Sequence, residues 1–152
     1  MAAKTTLPMP TTQNNPYEYL RFDSAPILAQ SSRFVGDAGL APNRRIEVLT
    51  DRQRHTFIFL LIAQHVSGMW CAGWSCQYQV RLRDHYIQHL PAVADGFFRT
   101  PECAQLFALG QLLVELEAIN NTNGIDGFAD ILASIDRLQR QVRDRQVEYG
   151  DL

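Results

Sequence analysis

The chain has 152 residues, 46% of them hydrophobic and 20% charged, with a formal net charge of −2. That length and balance fit one globular domain, and they exclude both a highly charged disordered chain and a strongly basic nucleic-acid footprint. The three cysteines, Cys71, Cys76 and Cys103, match no zinc-ribbon spacing and are odd in number, so reduced thiols are expected rather than a disulfide framework. The longest strictly apolar run, Phe57 to Ala63, is far shorter than the roughly 20 residues of a membrane span, and the first residues carry no apolar signal core. The expectation is a cytoplasmic protein with no membrane contact.

Residues 1–45 read as an extended, irregular N-terminal arm. Five of the seven prolines fall there (Pro8, Pro10, Pro16, Pro26 and Pro42), and no helical or alternating apolar period survives between them. Yet the arm is rich in aromatics: Tyr17, Tyr19, Leu20 and Phe22 cluster, followed by Ile27, Leu28, Phe34 and Val35. Side chains of this kind need a surface, either on the chain's own domain or on a partner.

Residues 46–152 read as a helical domain, and the fold class expected is all-α: a small bundle of about four helices. Thr50-Asp51-Arg52-Gln53 fits a capping box. From Phe59 an apolar series (Ile62, Val66, Met69, Gly73, Cys76, Val80, Ile87) steps by three and four residues like a heptad seam, skipping Arg83. A straight helix from 50 to 90 would be about 60 Å long, so a break is expected between Ser67 and Gly73. Pro91 closes the segment, with His85 and His89 in its last turns. Thr100-Pro101-Glu102 then starts a second strong helix carrying Leu106, Leu109, Leu113, Leu116 and Ile119, with Gly124 suited to its C-cap. The last helix, from about Asp126 to Tyr149, bears Ile131, Ile135, Leu138, Val142 and Tyr149 on one face and an Asp136–Arg140 pair on the other.

Several constellations bear on chemistry. His85 and His89, four apart, could present two imidazoles to a metal, with Cys103 or Glu102 as a third ligand from the next helix. Their plainer role is as solvated residues at a helix end. Cys71 and Cys76 lie about 140° apart on a continuous helix and could approach His65 only across a break at Gly73. Trp70, Trp74 and Tyr78 form a ridge that suits core packing or a partner. It could also hold a flat cofactor such as haem, with His65 or His55 as axial ligand. The turn Asn121 to Asp126 fails as a calcium loop in both registers. Arg137, Arg140, Arg143 and Arg145 are interleaved with acids as on a solvated face, so nucleic-acid binding is not expected. No phosphate loop, nucleophile elbow or dinucleotide fingerprint is present.

The reading that follows is a non-catalytic protein–protein interaction module, a subunit, adaptor or inhibitor of a larger assembly, binding a protein partner or itself without a cofactor. Its interaction residues would be Tyr17, Tyr19, Phe22, Trp70, Trp74 and Tyr149. The alternative is a small metal-, haem- or ligand-binding protein or an enzyme, centred on His65, Cys71, Cys76, His85 and His89.

Overall fold

A computed structural model describes residues 15–29 and 36–149. Its centre is a four-stranded antiparallel sheet in the order β1-β2-β3-β4, formed by β1 (Arg44–Asp51), β2 (Thr56–Gln64), β3 (Trp70–Val80) and β4 (Arg83–His89). Two long helices follow, α2 (Pro101–Thr122) and α3 (Phe128–Tyr149), and a short helix, α1 (Ser24–Ala29), precedes the sheet. The fold is therefore α+β. The expected all-α helical bundle is wrong for residues 44–89, which contain strands where helices were expected.

The physical reason lies in how β2 and β3 are buried. β2 contains the strictly apolar run from Phe57 to Ala63. Ile58, Leu60 and Ile62 join the main core beneath the helices, while Leu61 and Ala63 are buried on the opposite face. Phe57 and Phe59 are half-buried on that face too, so the strand is apolar at every position from 57 to 63 and its sequence carries no alternation. In β3 the alternation is present: Ala72, Trp74, Cys76 and Tyr78 face the helices, whereas Cys71 belongs to a second cluster on the other face. The three-and-four spacing from Phe59 to Ile87 is a coincidence of two superposed periods.

The turns were equally disguised. Thr50-Asp51 does not cap a helix. Asp51 ends β1, and its Oδ1 accepts the N–H groups of Gln53 and Arg54 at 3.1 and 3.2 Å, folding the chain into a hairpin. The next hairpin turns on Arg81 and Leu82, both with positive φ (52° and 65°). Two left-handed residues make a type I′ turn, normally signalled by Asn-Gly. Here the Asp126 carboxylate replaces that signal, accepting the Arg81 N–H at 3.3 Å and the Leu82 N–H at 2.8 Å.

The C-terminal helices lie where the apolar spacing places them. Thr100 caps α2, its hydroxyl accepting the Cys103 N–H at 3.1 Å, with Pro101 at the first helical position. The C-cap is Asn123 in an extended conformation rather than Gly124. α2 packs on β2 and β3, and α3 on β1 and α2. On α3, Ile131, Ile135 and Val142 enter the core, and Arg140 meets Asp136 at 3.0 Å. Among the described residues no helix is long and apolar enough to cross a membrane.

The described part of the arm lies against this domain. Asn15 is buried on α2, its amide donating to the Phe107 carbonyl and to Gln111 Oε1, both at 3.2 Å. Tyr17 is buried too, and its hydroxyl accepts from Arg143 of α3 at 2.7 Å. The chain then reaches the sheet's other face, where Phe22 pairs with Phe97, and Ile27, Leu28 and Leu40 pack on Cys71, Val93 and Phe97. Phe34 and Val35 lie outside the described residues. One half of that second face is thereby covered and the other half left open.

Candidate functional site

The residues singled out for chemistry are not brought together. Cys71 and Cys76 are five apart on a strand and so point to opposite faces, each thiol buried and pushed up to about 12 by loss of solvent. The Cys71 thiol donates to the Gly96 carbonyl at 3.6 Å, and the Cys103 thiol to Gln146 Oε1 at 3.7 Å, near the start of α2 and away from His85. The raised Cys71 and Cys76 thiols stay protonated and are poor nucleophiles and poor ligands. His65 is buried at the end of β2, with Ser67 Oγ 2.9 Å from Nδ1 and the Gly36 carbonyl 3.3 Å from Nε2. His85 lies on β4, not on a helix end, with its ring stacked on Tyr78 at 5.5 Å. His55 sits in the first hairpin, 3.4 Å from Asp84. Among the described residues no three of His, Cys, Asp and Glu are grouped to hold a metal ion.

His89 is paired with a buried carboxylate. It ends β4, stacks on Trp74 with centroids 5.0 Å apart, and places Nε2 2.5 Å from Asp95 Oδ2. The hydrogen bond to Asp95 raises its pKa, with burial opposing. Glu115 on α2 is raised as well, chiefly by burial. The sign follows directly. A raised histidine contributes stability that is complete below its unfolded value of about 6.5 and is lost as pH climbs through the folded value. Asp95→Asn should therefore flatten the decline in stability that begins as pH rises above about 6.5. Urea titrations at stepped pH, with the His89 proton shift followed by NMR, measure it; an unchanged slope in the variant refutes the pairing.

The residues expected to make contacts divide sharply. Trp74 is buried beneath α2, and Trp70 is half-buried with the Arg44 guanidinium 4.7 Å over its ring. Tyr17 is buried against α3. Tyr19 and Phe22 remain exposed on the arm, Phe22 with the Arg99 guanidinium 5.6 Å from its ring. The side chain of Tyr149 lies outside the described residues.

What the structure does display is the open half of the sheet and its β4 rim. Arg45, Glu47, Phe57, Phe59, Ser75, Gln77 and Tyr86 border a shallow depression of about 470 Å³. Arg45 lies 4.1 Å over the Phe59 ring, and Ser75 Oγ is 3.0 Å from the Tyr86 hydroxyl. At the rim, Leu82, Tyr86 and Leu90 are 82%, 59% and 54% exposed, spaced four residues apart along one strand and its ends. Sequence reasoning missed all three. On a helix, steps of four read as an ordinary buried stripe, whereas on an edge strand they lie on one face in the open.

Neither a protein-family model, nor a curated protein, nor a solved structure matches this chain.

Proposed function

We propose that the protein is a non-catalytic protein–protein interaction module whose docking surface is the β4 rim together with the open half of the sheet. The observation that carries this reading is the row Leu82, Tyr86 and Leu90, large apolar side chains exposed along a strand, and at its ends, that among the described residues pairs only with β3. Exposed apolar residues are unremarkable when scattered, but a row along an unpaired strand edge is a template for another chain. The groups able to do chemistry support the same reading, since the Cys71 and Cys76 thiols are buried and protonated and His65 is occupied within the fold. The three free cysteines suit the reducing cytoplasm. Tyr19 and Phe22 of the arm are secondary contacts in this proposal, because the neighbouring Tyr17 is already spent on the chain's own helices.

The test is a photoreactive amino acid placed at Gln88, on the rim, and separately at Arg140, on the outer side of α3. Irradiation in the native cell should give a discrete protein adduct from position 88 and none from position 140. Absence of an adduct from position 88, or equal labelling from both, sinks the proposal.

A further inference from the structure

Resting on the interaction reading above, we propose that the partner at the rim is a second copy of this chain. It docks by antiparallel pairing of β4 with its equivalent about a twofold axis through Tyr86, joining two four-stranded sheets into one.

The two edges of the sheet differ in protection. β1 carries a bulge between Glu47 and Leu49 and has α3 packed on it. Bulges and covering elements are the usual means of blunting an edge. β4 pairs with β3 in unbroken register from Arg83 to His89 and contains neither proline nor lysine. α2 packs on β2 and β3 and α3 on β1, whereas the outer side chains of β4 at Asp84, Tyr86 and Gln88 are exposed.

The hydrogen-bonding groups of β4 are arranged symmetrically. The Arg81-Leu82 turn makes Val80 and Arg83 the closing, hydrogen-bonded pair of its hairpin. Alternation then aims the backbone groups of Arg83, His85, Ile87 and His89 at β3, and those of Asp84, Tyr86 and Gln88 outward. The outward set is centred on Tyr86. A twofold axis there sets Tyr86 against its own copy and Asp84 against Gln88 of the second chain, satisfying every outward N–H and carbonyl of the strand.

The side chains repeat the symmetry. Leu82, Asp84, Tyr86, Gln88 and Leu90 read apolar, polar, apolar, polar, apolar in either direction. Within the strand the same axis brings Tyr86 against Tyr86 and a carboxylate against an amide, and beyond its ends the turn residue Leu82 lies toward the Leu90 end of the other chain. On the reverse face His85 meets Ile87, and Arg83 approaches His89 with its Asp95 carboxylate, so no uncompensated like charges face each other. Self-complementarity of this kind is what a twofold interface requires and what an unrelated partner does not. Leu82 adds a second, independent indication. It is a large apolar residue held in the left-handed region at the tip of a hairpin, where glycine or asparagine is favoured, and Asp126 on the α2–α3 connection fixes it there. The tip is thus set before any partner arrives, which lowers the cost of ordering on association.

Light scattering coupled to size exclusion, on the full chain over a wide concentration range, should give twice the chain mass. Tyr86→Glu and Tyr86→Arg should each fall to the chain mass with unchanged far-ultraviolet circular dichroism, because like charges then meet on the axis. An equimolar mixture of the two variants should regain the double mass, since only pairing at position 86 sets the new charges opposite each other. The inference is overturned by a wild-type monomer at every concentration, by a dimer indifferent to both variants, or by a mixture that stays monomeric. If the wild type is monomeric while position 88 still captures a different protein, the pairing falls and the interaction reading stands; if neither occurs, both fall.

Discussion

Gly73→Ala is expected to be among the most damaging single-methyl additions in the molecule. Gly73 lies in the middle of β3 on the second face, where the chain leaving β4 crosses over it. A β-carbon at this position would run into the His89 carbonyl oxygen and stand 2.8 Å from the Pro91 nitrogen and 2.9 Å from the Leu90 carbonyl carbon. All three obstacles are backbone, so no side chain can swing aside, and either β3 or the crossover must move. Over-packing against a fixed wall costs about 3 kcal/mol or more, which in a chain of this size lowers the melting temperature by roughly 10 °C. Calorimetry on the variant measures it. A variant as stable as the parent would mean that the crossover does not rest on β3 as described.

Trp74→Ala is expected to cost about as much or more, for the opposite reason. Trp74 is among the largest fully buried side chains, under α2 and stacked on His89. Its removal opens a cavity that the sheet beneath and the helix above cannot close, and large-to-small changes of this kind cost about 3 to 5 kcal/mol. The lost stack also leaves His89 held by Asp95 alone, so the imidazole should titrate differently in the variant. Trp70→Ala is the control: Trp70 is only half-buried, at the end of the sheet, and should cost clearly less. Denaturant titrations of the two variants decide the matter, and an inverted order would place the core at the wrong end of β3.

The helical half of the fold was legible because its signals are local. Thr100-Pro101 at the start of α2 and the stripe of Ile131, Ile135, Leu138 and Val142 on α3 depend on residues within a few positions of each other. The sheet half was misread because its determinants are distant. The Arg81-Leu82 hairpin contains no turn residue; the carboxylate that accepts its two N–H groups comes from Asp126, beyond α2 in the sequence. The even alternation of Trp70, Ala72, Trp74, Cys76, Tyr78 and Val80 was there to be read, but it competed with a three-and-four spacing that ran through the same residues.

The candidate site follows the same division. Tyr19 and Phe22 were visible as aromatics in an irregular arm. That Tyr17 is occupied by Arg143 depends on a contact across most of the chain, and that Trp74 is covered by α2 depends on a helix that begins beyond the end of the sheet. Leu82, Tyr86 and Leu90 could be recognised as a displayed row only once β4 was known to be an edge.

By itself, then, the sequence determined that this is a domain-sized chain with a large apolar core, two C-terminal amphipathic or buried helices with the N-cap of the first, and cysteines in no metal or disulfide pattern. Tertiary structure alone decided that residues 44–89 form a sheet, which of its edges is protected, and which aromatics are buried. The reason is one of range. Helix signals close within one or two turns, whereas a strand is defined by the neighbours it pairs with, and those neighbours are chosen by the whole chain.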